Sequence, residues 1–351
     1  MSYDGFFSGK KILITGHTGF KGSWLSKMLI GMGADVSGYS LRPSTKPNLF
    51  SILSLRKRMR NHFQDIRDYH KVLGAMQQEK PEIVIHMAAQ PLVRDSYNDP
   101  PYTYETNVIG TVNVLQTIKE VGGVKAAVMV TTDKVYENKE TQTPYKEDDE
   151  LGGYDPYSAS KACCEIAIRS YTRSFFNPEK GTLIASARAG NVIGGGDWSM
   201  DRLVPDMVRT ILEKDEQLVL RNPDAIRPWQ HVLDPLNGYL MLAKGLYEGR
   251  NDLVGAWNFA PEESSCINVE HLVGKAISKI GKGGYRIERD EGKHEMKTLR
   301  LDASKAKAVL GWAPKMDIEK TLDRTFEWYR SYYSGKRMDA LTGRQIDEFF
   351  G

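Results

Sequence analysis

The feature that most restricts the architecture is an alternation. Strand-like runs recur at KKILIT (10–15), DVSGY (35–39), NHFQ (61–64), EIVIH (82–86), KAAVMV (125–130) and TLIASA (182–187). Between them lie segments with helical spacing, among them GSWLSKMLIGMG and TNVIGTVNVLQTIKEVG. Strands alternating with helices predict an α/β fold, a doubly wound parallel sheet covered on both faces. In such a sheet ligands bind outside the carboxyl ends of the strands, so polar residues at those ends carry the search for function. With 351 residues the chain can bury a large core, as one large or two fused domains.

The first strand ends in ITGHTGFKG, which sets Gly16, Gly19 and Gly22 at G-x-x-G-x-x-G spacing between strand and helix. Glycine is needed where the backbone turns sharply and approaches a pyrophosphate, and the helix N-terminus adds amide donors and partial positive charge. In a first βαβ unit this reads as a dinucleotide-binding turn made by Gly16, His17, Thr18, Gly19, Phe20, Lys21 and Gly22. Lys21 suits a bound anion, since a cation in a first helical turn otherwise opposes the dipole; a solvated lysine is the plain alternative. The second strand lacks an acid at its end for the ribose hydroxyls of NAD, closing instead on Tyr39, Ser40, Leu41 and Arg42. Charge alone at Ser40 and Arg42 favours a ribose phosphate, hence NADP, or a loosely held NAD.

YDPYSASKACCEIAI places Tyr157 and Lys161 at i and i+4, on one helix face. A nearby ammonium stabilises tyrosinate and lowers the phenol pKa. Tyr157 is then able to take a proton from a sugar hydroxyl while hydride leaves the same carbon. This spacing is common by chance, and it gains meaning only behind the glycine-rich turn.

With these stretches, and with DIRD (65–68), HMAAQ (86–90), TNVIGTVNVL (106–115), TTDKVY (131–136), YSASK (157–161) and LDASKAKAVLGW (301–312), the chain resembles the extended short-chain dehydrogenase/reductase family over nearly its full length. The resemblance implies a Rossmann domain over residues 1–190, to which later segments can return, and a smaller mixed α/β substrate domain over 191–351. It makes Tyr157 the catalytic base, gives Lys161 a hold on the nicotinamide ribose, and has Thr132 hydrogen-bond the reacting hydroxyl. Asp65 and Ile66 would meet the adenine, and Ala88 and Gln90 would line the cofactor trough. The implied cofactor is NAD, despite Ser40 and Arg42, recycled within the reaction and weakly retained, so that added NAD raises the activity of purified protein.

The same resemblance gives Asp133 and Lys134 a role. Epimerases of this kind place small uncharged residues after the catalytic Ser or Thr, whereas sugar-nucleotide 4,6-dehydratases place an acid and a second titratable group. AAQPLVRDSYNDP (88–100), NVIGGGDW (191–198) and RPWQHVLDP (227–235) are most similar to dehydratases acting on CDP-glucose, a preference that rests on resemblance alone. The implied lyase oxidises C4, which acidifies the C5 proton, eliminates water across C5 and C6, and returns the hydride to C6. The product, CDP-4-dehydro-6-deoxy-D-glucose, would serve deoxysugar and surface-polysaccharide (O-antigen) synthesis. In thymidine-linked relatives the pair is Asp-Glu, so Lys134 departs from the pattern. Adjacent Asp and Lys would rest as an ion pair unless burial is strong. Asp133 as acid with neutral Lys134 as base is the assignment adopted; the reverse stays open, because the two titrate as a unit.

Beyond residue 190, arginines near Gly- and Pro-rich loops suit planar phosphate contacts. By similarity Asn191, Arg202, Arg227 and Arg300 are assigned to the sugar nucleotide, against a plain alternative of surface ion pairs. Trp198, Trp229, Trp257 and Trp312 read as core, and His86 and His231 as satisfied core or loop histidines; no His, Cys and carboxylate cluster has metal spacing. The helices over 103–120 and from Tyr157 carry apolar residues on more than one face, including Val108, Val112, Leu115, Ala162, Ile166 and Ile168, and in relatives they form an intersubunit four-helix bundle. A homodimer is expected, with a tetramer as the larger possibility.

Other classes fare worse. A formal charge of +3 is too small for a nucleic-acid groove, and the LRKRM run at 55–59 reads as a solvated face. No segment approaches the ~20 apolar residues of a membrane span. MSYDGFFSGKK has no signal-peptide layout, and three cysteines, two of them adjacent, fit reduced thiols, so a cytoplasmic location is expected. The competing functions are an NAD-dependent 4-epimerase, a dehydratase for another nucleotide sugar, and a nucleotide-sensing module that kept the fold without the chemistry.

Overall fold

In the computed structural model, which describes residues 3–141, 143–176, 181–289 and 299–351, the expected strands all form. They are β1 (Lys11–Thr15), β2 (Asp35–Ser40), β3 (Arg60–Phe63), β4 (Ile83–His86), β5 (Ala126–Val130) and β6 (Leu183–Ala189). Val192–Ile193 (β7), Leu218–Leu220 (β8), Ile226–Pro228 (β9), Gln230–His231 (β10), Gly255–Phe259 (β11), Cys266–Asn268 (β12) and Tyr285–Ile287 (β13) follow. The main sheet has the order β11-β6-β5-β4-β1-β2-β3, parallel throughout. Its order reverses between β1 and β4, and the crevice at that switch point opens beyond the carboxyl ends of both strands.

Burial on both faces explains the strand composition. β4, β5 and β6 are buried along their whole length, so they read as unbroken apolar runs rather than alternating ones. On one face Met76, Val114, Leu115, Ile118, Cys164 and Ile168 pack from the helices Tyr69–Glu79, Gly110–Val121 and Pro156–Phe175. On the other, Trp24, Leu25, Met28, Leu236 and Leu240 pack from Phe20–Gly31 and Leu233–Tyr247.

The seventh strand, β11, has no counterpart among the runs picked out from the sequence. It pairs parallel with β6, Trp257 opposite Ala187 and Phe259 opposite Ala189. The smaller pairings β7 with β10, β9 with β12 and β8 with β13 lie beyond residue 190. The four tryptophans expected in the core are buried there. No helix of the described residues is long and apolar enough to cross a membrane.

Candidate active site

The glycine-rich turn closes on itself and on the end of β4. Gly16 has φ +76°, and a Cβ there would lie 2.8 Å from the Ala88 nitrogen. A Cβ on Gly22 would lie 2.1 Å from the Gly16 carbonyl oxygen. Gly19 caps the Phe20–Gly31 helix without a side-chain hydrogen bond, and the first turn has no acidic residue, so its amides suit an anion. Gly16 and Gly22 let the turn pack this tightly on backbone, and the free amides at the helix start form a cradle that fits the pyrophosphate of a dinucleotide.

The side chains around the turn divide their work. The His17 ring packs beneath β2, where a Cβ on Gly38 would lie 2.3 Å from it, and its Nε2 meets Asn61 Oδ1 at 3.1 Å. Burial pushes its pKa down to about 4, and this packing under β2 leaves the backbone of His17 to the turn. Thr18 Oγ1 pairs with Ser40 Oγ and with the Leu41 carbonyl, both at 2.9 Å. The Arg42 guanidinium stacks 4.9 Å from the Phe63 ring centre. Hydrogen bonds from Arg67 hold the Asp65 carboxyl below its ordinary pKa, and Ile66 is buried with its side chain against Gly110. Thr15 Oγ1 accepts from the Met87 and Ala88 amides, so its own proton points to His86 Nδ1 at 2.7 Å. His86 is thereby satisfied, with Nε2 on Thr111 at 3.1 Å. The Gln90 amide is occupied internally, donating to Leu92 O and Thr103 Oγ1 and accepting from Leu92 N. It braces the chain after β4.

β5 runs into Thr131 and Thr132 and then a single tight turn, Asp133–Val135. Thr132 Oγ1 donates to Asp133 Oδ1 at 2.9 Å. Asp133 is 2% exposed, and its Oδ2 has no partner among the described residues. That oxygen lies over Gly190, where a Cβ would come within 1.8 Å of it. Among the described residues no ion pair joins Asp133 to Lys134, and Asp133 is strongly buried, the circumstance in which the resting pair is not expected. A turn with three residues per revolution points neighbouring side chains about 120° apart, so adjacency in sequence separates them.

Asp155 starts the Pro156–Phe175 helix, accepting from the Ser158 amide at 2.9 Å and its hydroxyl at 2.6 Å, with Pro156 in the first turn. This brings Tyr157 and Lys161, both buried, to the end of β5, where Lys161 Nζ donates to Val130 O at 3.4 Å. The sign of the phenol's shift differs from the expectation. Burial pushes the Tyr157 pKa up to about 12, against the hydrogen bond with Thr132; Asp133 raises it further and Arg202 lowers it. Burial also lowers Lys161, while Cys164 and Glu165 hold it up.

The expected substrate residues fall in two places. Arg202 lies near Tyr157: its Nη1 pairs with Asp197 Oδ2 at 2.9 Å, and its charge acts on Tyr157 and on Lys21. Burial pushes Lys21 down to about 8, Arg202 and Lys161 lower it further, and Asp133 and Asp197 oppose them, so this lysine of the glycine turn is coupled electrostatically to the groups at the end of β5. Arg300 instead lines a cavity of about 250 Å³ with Pro228, Ala260, Pro261, Glu263 and Cys266. Arg227, on β9 beside that cavity's Pro228, donates to its neighbour's carbonyl at 2.9 Å. Asn191 has φ +45° and follows Gly190, its carbonyl accepting from the Gln230 amide at 3.2 Å. Gly190 and Asp197 escape a reading by motif, because each matters only through a residue distant in sequence.

A parallel sheet with a glycine cradle at its switch point and a buried Tyr-x-x-x-Lys pair beside it defines a Rossmann-type short-chain dehydrogenase/reductase. The family model described as GDP-mannose 4,6 dehydratase matches residues 13–325. The chain belongs to the GDP-mannose 4,6-dehydratase family. It is 46% identical to CDP-glucose 4,6-dehydratase of Salmonella typhimurium over 98% of this chain and 97% of that protein. It is 27% identical to dTDP-glucose 4,6-dehydratase of the same organism over 91% of this chain and 92% of that one. Among solved structures, DesIV, a dTDP-glucose 4,6-dehydratase from Streptomyces venezuelae with NAD and TYD bound, superposes with a TM-score of 0.78 at 25% identity, covering 94% of this chain and 99% of that one.

Proposed function

We propose that the protein is an NAD-dependent CDP-glucose 4,6-dehydratase. The observation that carries this reading is the 46% identity, over nearly the whole of both chains, to an enzyme of that name. The cradle of Gly16, Gly19 and Gly22 and the backbone of residues 17–22 would hold NAD, with Ser40, Arg42, Asp65 and Ile66 on its adenosine side and Ala88 and Lys161 further in. Bound there, NAD supplies a hydride acceptor for C4 of the sugar and a donor for C6.

The protein's own groups move the protons. Tyr157, beside Thr132, takes the C4 hydroxyl proton, which requires the phenol's high pKa to fall once substrate and cofactor charges are in place. Asp133, whose Oδ2 is buried and unpartnered among the described residues, gives a proton to the C6 hydroxyl so that it departs as water. Lys134 removes the C5 proton and later returns one, so the sugar loses one water in total. Asn191, Arg202, Arg227 and Arg300 hold the nucleotide sugar, Arg300 reaching the diphosphate from its cavity. Residues 1–190, joined by β11, make the cofactor domain, and the remainder of 191–351 the substrate domain.

Two helices support a homodimer. Ile109 and Ile166, 48% and 50% exposed, lie on the helical stretches 100–121 and 156–175, where a second copy would cover them. A cytoplasmic enzyme of deoxysugar synthesis accords with three free cysteines.

Purified protein given NAD and, in turn, CDP-, dTDP-, UDP- and GDP-glucose tests the reading. A 4-keto-6-deoxy product from CDP-glucose, lighter by one water, is the expected result. A product of unchanged mass would identify an epimerase, and turnover of another nucleotide sugar alone would reassign the substrate.

A further inference from the structure

One buried ion pair touches each element that delivers a candidate catalytic group. Glu165 and Arg188 meet at 2.8 Å, with side chains 4% and 3% exposed. Glu165 stands four residues after Lys161 and eight after Tyr157, on the same helix. Its Oε1 accepts from Thr131 Oγ1 at 2.5 Å, the residue before Thr132 and Asp133. Its Oε2 accepts from Ser186 Oγ at 2.7 Å and from Arg188, both on β6, the strand that leads to Gly190 beneath Asp133. Arg188 Nη1 continues the network to Tyr136 OH at 2.7 Å and the Glu147 carbonyl at 3.1 Å.

Stability is a poor reason for such a pair. Desolvating two charges costs several kcal/mol each, and apolar replacements are often neutral or better. What a carboxylate with three fixed donors does provide is a defined geometry. We propose that Glu165 and Arg188 are positioning residues, which hold the Thr132–Asp133 strand end in register with Tyr157 and Lys161 for the dehydratase reaction. The Glu165 charge has a second effect. It supports the Lys161 ammonium one helical turn away, where burial opposes that charge.

This inference rests on the proposed reaction, and its test separates the two. Wild type, Thr131→Val and Glu165→Gln are compared with NAD and CDP-glucose, with thermal melts as a control on folding. Thr131→Val removes a donor without burying a lone charge. Expected losses in kcat are about tenfold for Thr131→Val and about 100-fold for Glu165→Gln, near the effect of a 1 Å misplacement, with KM within about twofold. Independently of turnover, the titration of the Lys161 ammonium, followed by nitrogen NMR and identified by its loss in Lys161→Met, should shift to lower pH in Glu165→Gln and stay in place in Thr131→Val. A merely structural pair would not produce that split. Folded variants with wild-type kcat, or an unmoved Lys161 titration, would overturn the proposal. If Glu165→Gln does not fold, Thr131→Val and Ser186→Ala decide it by the same kcat criterion. If wild type turns over no nucleotide sugar, the reaction assignment fails, and the Lys161 titration still decides whether Glu165 acts on the catalytic lysine.

Discussion

Replacing Gly190 by alanine tests the placement of Asp133 directly. The added Cβ would lie 1.8 Å from Asp133 Oδ2 and 2.2 Å from its Cγ. An ordinary contact needs about 3.5 Å, so the carboxylate must retreat by roughly 1.5 Å. Retreat is constrained, because Asp133 is buried and its other oxygen is held by Thr132. Nor is the backbone of residue 190 free to move, since its carbonyl accepts from Gln230 Nε2 at 2.9 Å. Misplacement of a reacting group by about 1 Å costs about 100-fold in rate, so kcat for CDP-glucose should fall by at least that factor. Overpacking should also lower stability by about 1–3 kcal/mol. Steady-state turnover, NAD binding by calorimetry and a thermal melt together make the assay. NAD affinity should stay within about twofold, because the cradle is untouched. A folded Gly190→Ala enzyme with kcat within about threefold of wild type would show that Asp133 does not act from this position.

Three other perturbations have defined outcomes. Burial pushes the Asp234 carboxyl up to about 7, and its Oδ1 accepts from the Lys315 amide at 2.7 Å. The folded state therefore holds its proton more tightly than the unfolded state, so stability falls as pH rises from about 4 to about 7 and stays reduced above that. Asp234→Asn should gain roughly 2–4 kcal/mol at pH ~8 and almost nothing near pH ~4, read by denaturant unfolding at both; equal gains would refute the assignment. Arg300→Gln should raise KM for the nucleotide sugar about 10–100-fold with little change in kcat, and an unchanged KM would remove its cavity from the substrate site. Gly16→Ala combines a φ of +76° with backbone contacts at 2.8 Å, so NAD should bind at least about tenfold more weakly by calorimetry, and wild-type affinity would refute the cradle.

Much of the fold was legible because its causes are local. β1 to β6 lie within a residue or two of their apolar runs, and Asp155 and Pro156 mark where the helix of Tyr157 and Lys161 begins. The i, i+4 relation of Tyr157 and Lys161 needs only a helix. β11 was missed because GAWNF follows a helix with no alternation of its own, and pairing with β6 is what makes it a strand. The arrangement of the candidate site was less legible than its motifs. His17 and Gln90 sit where expected, yet packing and local hydrogen bonds occupy their side chains. Lys134 diverges from Asp133 because a tight turn separates neighbours, and Arg202, paired with Asp197, acts on Tyr157 rather than grouping with Arg300.

Sequence alone determined the order of strands and helices, the glycine turn and the residue types that can move protons, because periodicity and spacing act over a few residues. Tertiary structure decided which charges face one another and which strand ends meet. Those depend on burial and on partners far apart in the chain, as when Gly190 lies beneath Asp133.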